Sequence, residues 1–131
     1  MKPEEQIEQF FCWYETDDYL EQYNANRAAL RALFEEYRSA TGETRTFMDQ
    51  LLTAHAAFGK CEKKPEVQRA HNSFVLRYVA GSKIKEIAKY LNISGRTVLR
   101  DIDLVFDDLM IFAFGVAGLV PYEYITIYDN Q

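Results

Sequence analysis

The sequence predicts an all-α fold: a helical bundle that closes on two C-terminal helices joined by a tight turn, followed by a short extended C-terminal arm or strand. Three observations predict it. Apolar residues recur at three- and four-residue spacing along most of the chain, the breaks in that pattern fall on residues that start or stop helices, and glycine is scarce, at six in 131 residues. With 48% hydrophobic and 15% aromatic residues the chain can fill a packed core. No run approaches the roughly 20 apolar residues of a membrane helix. The charged opening MKPEEQIEQFF also lacks the apolar stretch and cleavage site of a secretory signal. A cytoplasmic location without membrane contact is the expectation.

The first helix begins at Pro3, whose fixed φ suits a first helical position, and carries Ile7, Phe10, Phe11 and Tyr14 on one stripe. Asp17 or Asp18 caps a second helix running to about residue 39, with Leu20, Tyr23, Leu30, Leu33, Phe34 and Tyr37 at helical spacing. Gly42 breaks the pattern. A third helix spans about residues 46–58, with Phe47, Leu51, Leu52, His55 and Phe58 along its side, and GKCEKKP at 59–65 reads as a charged connector. The chain thus divides into an N-terminal helical region at 1–60, suited to oligomerisation or partner contact, and a region at 61–131. The aromatic stripes of the first half read as core, with a dimer or partner surface as the other use of such a surplus.

From Glu66 the pattern tightens. EVQRAHNSFVLRYVAG forms a helix with Val67, Phe74, Val75, Tyr78 and Val79 on its apolar face. Gly81 suits a left-handed residue ending it and Ser82 the cap of the next. KIKEIAKYL turns Ile84, Ile87, Ala88 and Leu91 inward and Lys83, Lys85 and Lys89 outward. A three-residue turn, Asn92-Ile93-Ser94, leads into the last helix. Ser94 is its N-cap, and Ile93 and Val98 have the spacing of a hydrophobic staple. Two helices, a tight turn and the small Ala88 near their crossing make a helix-turn-helix.

The last helix runs from Gly95 to about Phe114. At about 100° per residue, Ile102, Val105, Leu109 and Phe112 fall within roughly 40° of Val98, while Arg96, Arg100, Asp103 and Asp107 lie at roughly 140–200° on the opposite side. That outer face is basic for two turns and acidic afterwards, with an Arg100–Asp103 bridge at i,i+3 within reach. Gly115 and Gly118 end the helix, and VPYEYITIY at 120–128 reads as a strand or extended arm in need of a partner.

The formal net charge of −5 conceals an uneven distribution. Residues 1–58 carry five basic and eleven acidic side chains, residues 59–100 ten and three, and residues 101–131 none and six. A basic segment between two acidic ones is the asymmetry of a chain of which one part meets a polyanion. A solvated face would carry charge too, so the motif has to decide.

Few residues suggest catalysis or metal binding. Cys12 and Cys61 match no metal or redox spacing; both read as reduced thiols, Cys12 among aromatics as a core residue. His55, Cys61 and His71 fit no common zinc pattern, and the two histidines read as helix-surface or core residues. Asp103 and Asp107 follow two arginines and read as a surface pair rather than catalytic carboxylates. Asp17-Asp18 reads as a helix start, and no phosphate-cradling loop is present. The expectation is therefore no enzyme, no catalytic residue, no metal and no cofactor.

Ile87-Ala88-x-x-Leu91-x-Ile93-Ser94-x-x-Thr97-Val98-x-Arg100-Asp101-Ile102 resembles the I-A-x-x-L-x-V-S-x-x-T-V-x-R-D-I signature of bacterial helix-turn-helix transcription regulators. DeoR-type regulators carry the T-I-R-R-D-L version of its end. The long last helix and its LMIFAFGVAGL ending look more like small phage and Firmicutes proteins related to sigma-70 region 4, the ArpU type. The resemblance covers about residues 66–118. It implies that the second helix of the motif enters the major groove of double-stranded DNA, with Ser94, Arg96, Thr97 and Arg100 facing base edges and Lys83, Lys85 and Lys89 over the backbone. Gly95 stands where a basic or polar residue is common, and Leu99 replaces the first Arg of the DeoR pattern. Both imply modest affinity for one module and hence a homodimer on two half-sites. The expected function is a sequence-specific, DNA-binding transcriptional regulator, of prophage or mobile-element type, with residues 1–60 serving oligomerisation or contact with RNA polymerase. The alternative is an RNA polymerase-binding or other protein-interaction module using the same fold without reading DNA.

Overall fold

A computed structural model describes residues 2–124, apart from the side chains of Phe10, Phe11 and Glu62. Six α-helices account for most of them: α1 (Pro3–Tyr14), α2 (Asp17–Glu35), α3 (Gly42–Glu62), α4 (Pro65–Tyr78), α5 (Ile84–Leu91) and α6 (Gly95–Phe114). Short 3-10 turns follow α2 at Tyr37–Ser39 and α6 at Gly115–Gly118. No strand occurs among the described residues, so the class is all-α. None of the described helices is long and apolar enough to cross a membrane.

Helix boundaries follow local chemistry, with several shifts from the expected positions. Pro3 and Pro65 each stand at a first helical position, where the missing N–H costs nothing. The cap of α2 is Thr16 rather than Asp17 or Asp18: its Oγ1 accepts from the Tyr19 N–H at 3.3 Å. The two aspartates instead fill the first turn, where the helix dipole favours negative charge. Gly42 begins α3, with a φ of +64° that lets the chain reverse out of the preceding turn. Helix α3 then runs through the expected connector to Glu62, and two residues, 63 and 64, link it to α4.

Helix α6 is central and packs against α2, α3, α4 and α5. Its buried residues are Val98, Asp101, Ile102, Val105, Phe106, Leu109 and Met110. The expected seam is present except at Phe112, which is 39% exposed. The seam turns instead toward Phe106 and Met110, because α2 covers that side. Phe34 of α2, Phe74 and Tyr78 of α4 and Phe106 of α6 form the centre of the core. Phe34 and Phe74 meet at 5.0 Å, Phe74 and Phe106 at 5.1 Å, and Phe74 and Tyr78 at 4.7 Å. The first two contacts are near-perpendicular, setting positive ring edges against negative faces, and the third is tilted at 48°.

Tyrosines of the N-terminal helices bind the chain that follows α6. Tyr19 Oη donates to the Leu119 carbonyl at 2.5 Å, Tyr14 Oη donates to that of Val120, and Tyr124 Oη donates to Asn24 Oδ1 at 3.1 Å. Burial pushes the Tyr19 hydroxyl up to about 12, which keeps it a donor at any physiological pH. The segment expected as a strand behaves differently: residues 122–124 are helical, and 125–128 lie outside the described residues. Cys12, expected in the core, is exposed, and so is Ile7 of the expected apolar stripe of α1. Helix α1 packs on α2 among the major contacts, and among its described side chains Tyr14 is the one buried in the core.

Candidate nucleic-acid interface

Helices α5 and α6 present the seven residues singled out above. Three residues past the end of α4 the chain turns at a left-handed Gly81 (φ +76°), where an added Cβ would run into the Arg38 guanidinium. Lys83, not Ser82, then occupies the N-cap of α5 in extended conformation. Ile87 is buried and Ile84, Ala88 and Leu91 pack against the core, which leaves Lys85 and Lys89 four residues apart on the exposed flank. Asn92 closes α5 in the left-handed region (φ 57°), a conformation asparagine tolerates, and the Ile93 N–H donates to the Ala88 carbonyl at 3.0 Å.

Ser94 opens α6. Its Oγ accepts from the Thr97 N–H at 3.1 Å and lies 2.9 Å from Thr97 Oγ1. Ile93 is half-buried and Val98 fully buried, the staple arrangement expected from their spacing. Ser94 and Thr97 are thus brought into contact with each other. Arg96 and Arg100 are exposed, one helical turn apart, with the 54%-exposed Leu99 between them.

The charge pairing of the bundle separates two kinds of cation. Arg27 Nη1 meets Asp107 Oδ1 at 2.6 Å, Arg31 Nη2 meets Asp103 Oδ1 at 3.0 Å, and Arg69 grips Asp101 with two bonds of 2.9 Å. His55 Nε2 lies 2.9 Å from Asp108 Oδ2. All four aspartates of α6 are therefore engaged by α2, α3 and α4. The expected Arg100–Asp103 bridge is absent because Asp103 turns to Arg31, and the acidic half of the outer face is a docking surface for α2. Asp107 feels two opposing effects: burial pushes its carboxyl up and Arg27 pulls it down. By contrast Lys83, Lys85, Lys89, Arg96 and Arg100 form no ion pair among the described residues.

Sequence reasoning missed two cations beside this surface. Arg77 Nη1 donates to the Ser82 carbonyl at 3.2 Å, and Arg38 packs over Gly81, so both guanidinium groups lie at the α4–α5 connection. Arg77 was legible as the only base in the last turn of α4. Arg38 had no sequence signal, since its position depends on how α2 and its 3-10 turn pack.

His55 and His71 do meet, whereas Cys61 is exposed, and among the described residues no three His, Cys, Asp or Glu side chains converge to hold a metal. No protein-family model matches the chain, and no curated protein or solved structure matches it significantly.

Proposed function

We propose that the protein is a sequence-specific DNA-binding regulator of transcription that uses α5, the 92–94 turn and the start of α6 as a helix-turn-helix. The observation that carries this reading is the contrast in pairing. The bundle engages every aspartate of α6 with cations or a histidine from other helices, yet among the described residues it leaves five exposed cations on α5 and the first two turns of α6 without an ion pair. Phosphates supply the missing partners of such a surface. Arg96 and Arg100 are suited to bidentate pairing with guanine, and Lys83, Lys85 and Lys89, joined by Arg77 and Arg38, to backbone contact. Ser94 and Thr97 have a different part from the one their position implies. Their mutual contact fixes the entry of α6, so they position the arginines and offer at most a hydroxyl or methyl to the DNA. The expected partner is double-stranded DNA, bound as a homodimer.

Selection of bound fragments from random duplex DNA tests this reading. A palindromic consensus with half-sites about one helical turn apart is the expected result. Recovery of fragments without any shared sequence would refute sequence-specific reading.

A second reading has its own observation. Leu104, Ile111, Phe112, Phe114, Val116 and Leu119, on α6 beyond the arginines and in the turn after it, are each at least a third exposed. Apolar residues exposed in such a run suit protein contact, with RNA polymerase or a second subunit. If the selection returns no enrichment and the chain instead retains purified RNA polymerase, this alternative replaces the first.

A further inference from the structure

His55 of α3, His71 of α4 and Asp108 of α6 meet where those three helices converge, at a junction the DNA-binding proposal does not use. His55 is fully buried. Its Nε2 lies 2.9 Å from Asp108 Oδ2 and its Nδ1 2.9 Å from His71 Nδ1, with the two rings stacked at 5.1 Å. Phe58 and Phe112 approach the His55 ring at 6.1 and 6.3 Å and cover part of it.

Two imidazole nitrogens at this distance require one hydrogen between them, and two protonation states supply it. In the neutral pair His55 donates from Nε2 to Asp108 and accepts from His71 Nδ1–H. With one added proton His55 is an imidazolium that donates both to Asp108 and to His71, and the carboxylate balances its charge. A second added proton sets two N–H groups head-on and places two positive charges against one carboxylate. The geometry accommodates one extra proton and not two.

We propose that this cluster is an acid-operated latch: with at most one histidine protonated it clamps α3 onto α4 and α6, and the second proton releases α3. Other charged groups share the junction with the imidazole pair. Lys64, Glu66, Arg69, Asp101, Asp107 and Asp108 line one cleft of about 290 Å³ beside His55, on the α4 and α6 sides. Arg69 is engaged with Asp101 and Asp107 with Arg27, so Asp108 is the carboxylate that faces an imidazole. Burial, and then the neighbouring His55, hold His71 below the ordinary imidazole value of 6.5. A histidine with a lowered folded value binds its proton more readily unfolded. The contribution to stability is therefore complete above pH 6.5 and is lost as pH falls from there through the lowered value of His71.

The chain has two histidines, so an imidazole 15N NMR titration follows both members of the latch directly. One ring should take its proton first and the other lag to lower pH. Between pH 7 and 5, α3 amide exchange corrected for intrinsic rate should accelerate about tenfold for each pH unit by which His71 titrates below 6.5. The α5 amides serve as the internal reference. His71→Phe keeps a ring but removes its nitrogens, and should abolish the pH step in α3. Asp108→Asn keeps the hydrogen-bonding shape but removes the balancing charge, and should move the first protonation to lower pH. Independent titration of both rings near 6.5, or α3 exchange that is flat between pH 7 and 5, would overturn the latch.

Discussion

Asp101 shows how one side chain can tie two parts of the molecule together. It is 1% exposed, sits directly after Arg100, and takes both bonds from Arg69 while Ser73 Oγ lies 3.4 Å away. A buried carboxylate is costly unless it is paired and hydrogen-bonded. Arg69→Met would leave it with the serine alone, and should lower stability by about 3 kcal/mol in urea unfolding, the low end for a broken buried pair because Arg69 itself is partly exposed. Asp101→Asn keeps the shape and most of the bonding, so its loss should be smaller. Equal losses would show that the charge of the pair contributes nothing. Gly118 is fixed by a different constraint: a Cβ there would collide with the Met110 carbonyl, so the turn after α6 closes on a glycine for lack of space.

At the scale of the element, α6 has a boundary between Arg100 and Asp101. Before it lie the exposed Arg96 and Arg100, without an ion pair among the described residues; after it the aspartates dock α2, α3 and α4. The Ser94 cap fixes how the first part enters. Ser94→Ala should cost about 1 kcal/mol of stability, and α6 amides near the cap should lose exchange protection before those around Leu109. Uniform protection along α6 would contradict a cap-dependent start. Local signals of this sort were readable in the sequence: Ser94, the Ile93–Val98 spacing, Gly81 and Pro3 all stand where their backbone chemistry requires, while Pro65, read as part of a connector, opens α4. Signals that depend on packing were not. Asp103 and Asp107 looked like a solvent-facing pair by helical angle, since nothing in the periodicity of α6 shows that Arg27 and Arg31 would lie opposite. His55 and His71 are sixteen residues apart on separate helices, and only the α3–α4 crossing reveals their contact. Cys12 is exposed although it stands among aromatics, because burial on α1 depends on which side meets α2 and not on the local composition.

Across the whole molecule, the core joins both halves of the chain. Phe34 from the first half stacks edge-on against Phe74 and Phe106 from the second, and the tyrosines of α1 and α2 hold the chain beyond α6. The net charge of −5 is compatible with a DNA-binding surface because much of the C-terminal acidity is consumed in interhelical pairing and the N-terminal acids lie in other elements. Under the DNA-binding proposal, binding depends on salt through the lysines and on sequence through the arginines. Each of Lys83→Ala, Lys85→Ala and Lys89→Ala should lower the slope of log affinity against log salt by about 1 while leaving sequence preference intact. A preference that shifts with a lysine change would assign it to base reading instead.

The most direct measurement is the affinity of the wild-type chain and the Arg96→Ala/Arg100→Ala double variant for the selected DNA and for a scrambled duplex, at fixed salt. Both arginines are exposed and form no ion pair among the described residues, so the variant should fold as the wild type does. The account predicts a loss of about 100-fold on the selected site, with the variant binding both duplexes equally. Unchanged discrimination between the two duplexes in the double variant would contradict it.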